Sequence, residues 1–225
     1  MSPIAIFFTM ISVFLAAAAI AILYFFRFAH HRNDKVTEQM LAADVRLAYK
    51  DMVTSGLAYV DSHAHEEVSI TSFDGLTLRG IYLPIENARA TILCFHGYRA
   101  VGLQDFAPMP EYYHSLGLNV LIVDQRACGK SDGKYTTFGI LERRDVLSWA
   151  QYMDRRLGGT PLILDGLSMG SSSVMLAADL PLPASVRGII ADCGFTSPWE
   201  IIAHCGKQWF HMPAFPMVHI LSGIA

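Results

Sequence analysis

The sequence has 225 residues, of which 52% are hydrophobic and 16% charged, so it is more apolar than an ordinary soluble domain. One uncharged stretch, Ile4 to Phe26, accounts for much of this excess. The formal net charge is -3, and no basic block occurs apart from the flank that follows this stretch, which argues against a nucleic-acid partner.

The uncharged stretch is long enough to cross the hydrocarbon core of a bilayer as a helix. A cleavable signal peptide has a shorter apolar region and a basic start, so a membrane anchor is favoured. Arg27, Arg32 and Lys35 follow the stretch, and no Lys or Arg precedes it. This bias predicts a single-pass protein in the lipid bilayer with its remaining residues in the cytoplasm. An uncleaved export signal with the domain outside has a similar pattern and stays open.

The cysteine and histidine spacings give no indication of a metal site. The cysteines lack the short paired spacing of zinc sites and are predicted to be free thiols, which agrees with a reducing compartment: Cys94, Cys128, Cys193 and Cys205. His63 and His65 have no third ligand nearby, so solvated loop histidines are the preferred interpretation.

Residues 33–65 are predicted to form a helical connector. Asn33 or Asp34 can cap a helix that ends near Gly56, and its apolar residues recur at helical spacing: Val36, Met40, Ala43 and Leu47. An amphipathic connector that packs on the domain is preferred to a membrane-surface helix.

The next segment predicts an antiparallel hairpin followed by parallel strands. Val68–Ser72 and Leu76–Leu83 are two strands joined around Asp74-Gly75, a strong turn signal. Continuous apolar runs at Ala90–Phe95 and Val120–Val123 are typical of central strands. Gly129-Lys130-Ser131 lacks the earlier glycine of a phosphate loop, so that interpretation is rejected.

Pro161 to Leu180 is the most informative stretch. It has an apolar strand, then Gly166-Leu167-Ser168-Met169-Gly170, then a run of small residues that predicts a helix. A Gly-x-Ser-x-Gly sequence between strand and helix predicts a sharp turn that presents the serine hydroxyl at the sheet edge. Ser168 is therefore the predicted nucleophile.

Three further elements follow from the pattern. Gly139–Leu157 is predicted to be a helix whose charges form a solvated surface, and Val186–Ala191 a strand that ends at Asp192. Ser197-Pro198-Trp199-Glu200 is a capping box that starts a helix through Phe210.

Together these residues resemble the α/β-hydrolase superfamily, especially its bacterial, membrane-anchored esterase-like or peptidase-like branch. The resemblance covers the chain from about Glu66 onward and implies an α/β-hydrolase domain at 66–225 with a cap-like segment from about 197. With the transmembrane anchor and basic flank at 1–32 and the helical connector at 33–65, this gives three expected parts. It rests on Phe73-Asp74-Gly75-Leu76, His96-Gly97, Asp124-Gln125-Arg126, Gly139 with Glu142 and Asp145, and the Gly166–Gly170 turn. Ala127-Cys128 departs from the Gly-His of many members.

The resemblance implies that the backbone N–H groups of Tyr98 and Met169 form the oxyanion hole around Ser168. Residues expected to have structural roles near the site are His96, Gly97, Gly166 and Gly170. The implied substrate is a small-molecule or peptide ester, thioester or amide, cleaved without a metal or organic cofactor.

The acid and histidine of the triad are harder to place. In this fold they follow the serine in chain order, after strands beyond the one that ends at Asp192, so roughly the last quarter to third of such a domain is expected to be missing and the 225 residues to be weakly active. By chain order His96 is structural rather than the base. An open alternative pairs Asp192 with a later histidine: His204, His211 or His219.

A second hypothesis keeps the pocket without the chemistry. A catalytically incomplete, membrane-tethered binding domain has the same turn and the same anchor but no base. Covalent labelling of the serine distinguishes the two.

The uncharged stretch predicts that the chain partitions with membranes, because no charged residue opposes insertion. We expect the full chain to float with liposomes and to remain in the pellet after alkaline carbonate washing, while a control chain that begins at Arg27 does not float. Recovery of the full chain in the carbonate supernatant would contradict the prediction.

Overall fold

A mixed sheet of six strands is the frame of the protein. The computed structural model describes residues 2–32 and 49–210. The strands are β1 Glu66–Thr71, β2 Thr77–Leu83, β3 Ala90–Phe95, β4 Leu118–Asp124, β5 Leu162–Leu167 and β6 Val186–Asp192. Their order in the sheet is β1-β2-β4-β3-β5-β6. β2 pairs antiparallel with β1 and β4, whereas the pairs β4–β3, β3–β5 and β5–β6 are parallel.

Seven helices are described along the chain. They are α1 Pro3–His30, α2 Lys50–Ser62, α3 Gly102–Phe106, α4 Pro110–Ser115, α5 Glu142–Arg156, α6 Met169–Ala177 and α7 Pro198–Phe210. The described residues form two compact units, one within residues 32–198 and the other of residues 2–31 with 199–210. The division into 1–32, 33–65 and 66–225 stays a prediction.

The sheet is covered on both faces by apolar side chains. Trp149 and Met153 of α5 and Val174 of α6 pack on one face of the strands. Residues of α2, α3 and α4 pack with the alternate strand residues on the other face: Val60, Phe106 and Tyr113. All six residues of β3 are buried, as the continuous apolar pattern predicts for a central strand. β6 differs, because its Ile189 and Ile190 are exposed at the sheet edge.

The predicted hairpin and strands are confirmed, but the helices differ at several points. The predicted connector lies partly outside the described residues, and its helix α2 continues past Gly56 to Ser62. Gly56 is buried because its missing side chain lets α2 pack directly on the backbone of Ala107. The short helix α3 was not predicted at all.

The N-terminal helix α1 is apolar and exposed. Its most apolar window of 18 residues has a mean hydropathy of 2.6, and none of that window is buried. The length and composition suit a membrane anchor and a signal sequence alike. Arg32 follows the helix and belongs to the larger unit, where its guanidinium donates hydrogen bonds to the carbonyl oxygens of Ser131 (2.8 Å) and Gly129 (2.6 Å).

A buried ion cluster holds three segments of the larger unit together. Arg126, in the loop after β4, donates to Asp145 of α5 at 2.6 and 2.8 Å and to Asp74 of the β1–β2 turn at 2.9 and 3.2 Å. Burial opposes the charged guanidinium, but these hydrogen bonds prevail and raise the pKa of Arg126. The predicted solvated surface of this helix is therefore wrong for Asp145, and also for Glu142, which is fully buried.

Glu142 caps the loop that leads into α5. Its carboxylate accepts hydrogen bonds from the N–H groups of Thr137 (2.8 Å) and Gly139 (2.9 Å) and from the Thr137 hydroxyl (2.6 Å). The helix consequently begins at Glu142 rather than at the predicted Gly139.

We expect Asp145→Ala to lower the free energy of unfolding by about 3 kcal/mol or more, because it removes one partner of a buried charge. Glu66→Ala is the matched control, since the ion pair between Glu66 and Arg156 is largely exposed. Its loss is expected to cost less than about 1 kcal/mol. Urea unfolding of both variants in detergent measures the difference, and equal costs would contradict a stabilising role for the cluster.

Candidate functional site

Ser168 is the single residue between β5 and α6, and its backbone makes a sharp turn. Its φ of 54° and ψ of -112° form a conformation that residues other than glycine rarely adopt. The Ser168 N–H donates to the carbonyl oxygen of Asp192 at 2.8 Å, and its own carbonyl oxygen accepts from the Ser172 N–H at 3.1 Å. Ser168 is half-buried, while Gly166 and Met169 beside it are buried. The turn thus presents the serine side chain at the carboxyl end of the sheet.

The two glycines of the turn are required by close packing. A Cβ at Gly166 would overlap the backbone of Gly170, and a Cβ at Gly170 would overlap the carbonyl group of Phe95 in β3. Any side chain at these positions would force α6 away from the sheet. Sequence spacing alone therefore identified the two positions at which helix and strand come into contact.

The predicted oxyanion donors belong to two different segments near Ser168. Met169 is the first residue of α6, where backbone N–H groups have no partner within the helix and the helix dipole favours a negative charge. Tyr98 follows Gly97, and a Cβ built on Gly97 would lie 3.5 Å from the Ser168 Cβ. The loop after β3 therefore passes directly beside the serine.

His96 is completely buried and both of its ring nitrogens are engaged. Its Nδ1 lies 2.8 Å from the carbonyl oxygen of Gly97, and its Nε2 accepts the backbone N–H of Gln125 at 3.0 Å. Because a carbonyl group can only accept, Nδ1 carries the proton. This geometry supports the structural role for His96 that chain order suggested.

Gln125 extends this network; the sequence placed it in the Asp124-Gln125-Arg126 motif but assigned it no role of its own. Its side-chain amide donates to the His96 carbonyl oxygen at 2.5 Å, and its amide oxygen accepts from the Ser173 hydroxyl of α6 at 3.2 Å. The available signal was its place directly after the buried strand β4. The network links the carboxyl ends of β3 and β4 to α6, the helix that follows Ser168.

Asp165 is a second residue to which the sequence assigned no role. It is buried in β5, three residues before Ser168, and accepts a hydrogen bond from the Tyr113 hydroxyl of α4 at 2.5 Å. Burial raises the pKa of Asp165, and burial also raises that of Cys94. This carboxyl group connects α4 to the strand that leads into the turn.

The candidate acid and bases are distributed over both units. Asp192 ends β6 beside the turn, where its backbone carbonyl braces Ser168 while the residue itself is exposed. His204 lies in α7 of the other compact unit. His211 and His219 lie outside the described residues. The roles of these four residues stay predictions.

An aromatic group borders the site. The ring centroid of Phe138 lies 5.0 Å from that of Tyr98 and 6.3 Å from that of Phe195. Ser172 fixes Phe195 by accepting its N–H at 2.9 Å and donating to its carbonyl oxygen at 2.7 Å. These contacts join the loops after β3 and β6 above the start of α6.

A cavity of about 380 Å³ lies elsewhere, between β1, β2, β4 and the start of α3, and it does not include Ser168. Within residues 2–32 and 49–210, no three His, Cys, Asp or Glu side chains lie close enough together to hold a metal ion.

Comparisons with known proteins agree with this architecture. Residues 90–215, more than half of the chain, match the model of the alpha/beta hydrolase fold family. The uncharacterized protein YqkD of Bacillus subtilis is 29% identical over 152 residues, which are 67% of this chain and 50% of the relative. The uncharacterized protein YfhR of Escherichia coli K12 is 29% identical over 144 residues, 61% of this chain and 50% of the relative. The chain thus spans about half the length of the curated relatives it matches.

Solved structures show the fold as well. An esterase of Pyrococcus furiosus has a TM-score of 0.57 and 23% identity, with 77% of this chain and 63% of the esterase covered. An alpha-beta hydrolase of Vibrio vulnificus has a TM-score of 0.56 and 20% identity, with 77% and 60% covered. The match of residues 90–215 to the family model shows that the chain belongs to the α/β-hydrolase fold family, and the strand order, the antiparallel hairpin and the turn at Ser168 agree with it.

Proposed function

We propose that the protein is a serine hydrolase that cleaves an ester, thioester or amide through an acyl-enzyme on Ser168, tethered to a membrane by α1. The observation that carries this proposal is the backbone of Ser168. Its rare conformation lies at a strand-to-helix turn closed by Gly166 and Gly170, and the residue remains partly exposed, whereas Met169 after it is buried. Strain of this kind persists where a function depends on it.

The chemistry follows from the groups beside the serine. The Ser168 hydroxyl oxygen attacks the substrate carbonyl carbon, its proton passes to a base, and the carbonyl oxygen becomes an oxyanion near the N–H groups of Met169 and Tyr98. Collapse expels the alcohol, thiol or amine, which takes up that proton. Water then attacks the acyl-enzyme by the same steps and releases the acid.

The proposed mechanism also requires a base that accepts the proton of the Ser168 hydroxyl. A serine hydroxyl is a weak nucleophile without a neighbouring proton acceptor, and loss of a triad member leaves a residual acceleration of about a thousandfold over water. A pairing of Asp192 with a later histidine, His204, His211 or His219, stays an open alternative from the chain order. Asp165 is a poor candidate for the acid, because it is buried and already accepts the Tyr113 hydroxyl.

A fluorophosphonate probe tests the nucleophile. We expect the full chain in detergent to form a covalent phosphonate adduct that mass spectrometry locates on Ser168, and Ser168→Ala to abolish it. Ser148→Ala is the control, because that hydroxyl only bonds to Arg144 within α5. A folded chain that gives no adduct, or an adduct that survives in Ser168→Ala, would contradict the proposal and favour a non-catalytic binding domain.

Turnover of p-nitrophenyl acetate is the second measurement. Its leaving group departs without needing a proton, so the assay reports on the nucleophile and oxyanion hole even where proton donation is poor. We expect release of nitrophenol that falls to the background rate in Ser168→Ala.

A further inference from the structure

The residue beside the nucleophile, Gly97, has both of its backbone groups held. Its carbonyl oxygen accepts the Nδ1–H of His96 at 2.8 Å, and its N–H donates to the Oδ2 of Asp105 at 2.9 Å. The next backbone donor along the chain is the N–H of Tyr98, the expected oxyanion donor. The Gly97 carbonyl group and the Tyr98 N–H belong to one planar peptide unit, so the contacts of Gly97 fix the position of that N–H.

Asp105 lies close to the nucleophile through this glycine. A Cβ built on Gly97 would lie 3.4 Å from the Asp105 Oδ2 and 3.5 Å from the Ser168 Cβ. The carboxylate and the serine thus flank the same glycine residue. A carboxylate repels a developing oxyanion, so Asp105 does not stabilise the transition state directly and its role must be a different one.

The helix that supplies this carboxylate is fixed to the sheet. The Gly102 N–H at the start of α3 donates to Oδ1 of Asp124, at the end of β4, at 2.9 Å. A Cβ at Gly102 would lie only 2.6 Å from the carbonyl oxygen of Val123, so the backbones of α3 and β4 are in direct contact. The contacts between α3 and β4 therefore fix the position of the Asp105 carboxylate, and they do not involve Gly97.

We propose that Asp105 is a positioning residue for the oxyanion hole, a role that rests on the hydrolase function proposed above. Its side-chain oxygen holds the Gly97 N–H by a hydrogen bond and so sets the distance between the Tyr98 N–H and the oxygen that forms at the substrate carbonyl. Oxyanion donors act at about 2.7–3.1 Å, and a misplacement of about 1 Å can cost about a hundredfold in rate.

Two substitutions separate position from charge. Asp105→Asn keeps an oxygen acceptor for the Gly97 N–H but removes the charge, whereas Asp105→Ala removes both. We expect Asp105→Ala to lower kcat for p-nitrophenyl acetate by about tenfold or more with little change in KM, and Asp105→Asn to keep kcat within about threefold of the unchanged chain. Asp132→Ala is the matched control, because it removes an aspartate that accepts a backbone N–H, that of Thr77, in the hairpin region.

Hydrogen exchange of the Gly97 and Tyr98 amides gives a readout that does not require activity. We expect the Gly97 and Tyr98 amides to exchange about tenfold faster in the Asp105→Ala variant than in the unchanged chain. In the Asp105→Asn and Asp132→Ala variants we expect both amides to stay protected. If the unchanged chain neither hydrolyses esters nor reacts with a fluorophosphonate, the hydrolase proposal fails, and the exchange rates still decide whether Asp105 positions the loop.

Unchanged exchange and unchanged kcat in a folded Asp105→Ala variant would overturn the inference. A kcat that falls equally in Asp105→Asn and Asp105→Ala would also overturn it, since charge rather than position would then matter. Should Asp105→Ala not fold, the Asn variant decides alone: protected amides and a near-normal kcat support the inference, and a tenfold loss in a folded protein overturns it.

Discussion

The structure depends on the backbone of Ser168, which is held in a conformation that costs about 1–3 kcal/mol for a residue other than glycine. The surroundings offset this cost from two directions. β6 accepts the Ser168 N–H through Asp192, and α6 returns a hydrogen bond from Ser172 to the Ser168 carbonyl. In addition, α6 lies against β3, which the absence of a side chain at Gly170 allows. The turn at Ser168 is therefore held by the packing of the sheet and of α6 rather than by contacts within its own loop.

Strand pattern and turn chemistry made the frame predictable. β3 is apolar at all six positions and lies at the centre of the sheet, while the Asp74-Gly75 pair forms the turn of a hairpin. Helix ends were less predictable, because tertiary contacts override local signals. Gly56 was expected to end a helix, but it lies inside α2, where a small residue permits close packing. The five-residue helix α3 is too short to show a hydrophobic period.

The sharp turn at Ser168 could be predicted because its constraints are local in sequence. Its supporting polar residues could not, since each acts on a partner far along the chain. Gln125 and Asp145 belonged to the motifs that carried the family resemblance, but neither was given a partner, and the charges of the helix that holds Asp145 were expected to be solvated. Asp165 looked like an ordinary polar residue in a strand. Only the fold shows that Asp145 faces Arg126, 19 residues away, in a buried ion pair. A charged residue on a helix surface and one that locks two loops together have the same sequence signature.

The hydrogen bonds that shape the turn all come from the larger unit. They involve β3, β4, β6 and α6, together with the buried network of His96, Gln125 and Ser173. None of the described bonds to the Ser168 backbone comes from a group that would act as its base. The backbone geometry of Ser168 is therefore set independently of any proton transfer: a proposed base would change the rate at which the Ser168 hydroxyl reacts but would not supply the forces that hold its backbone.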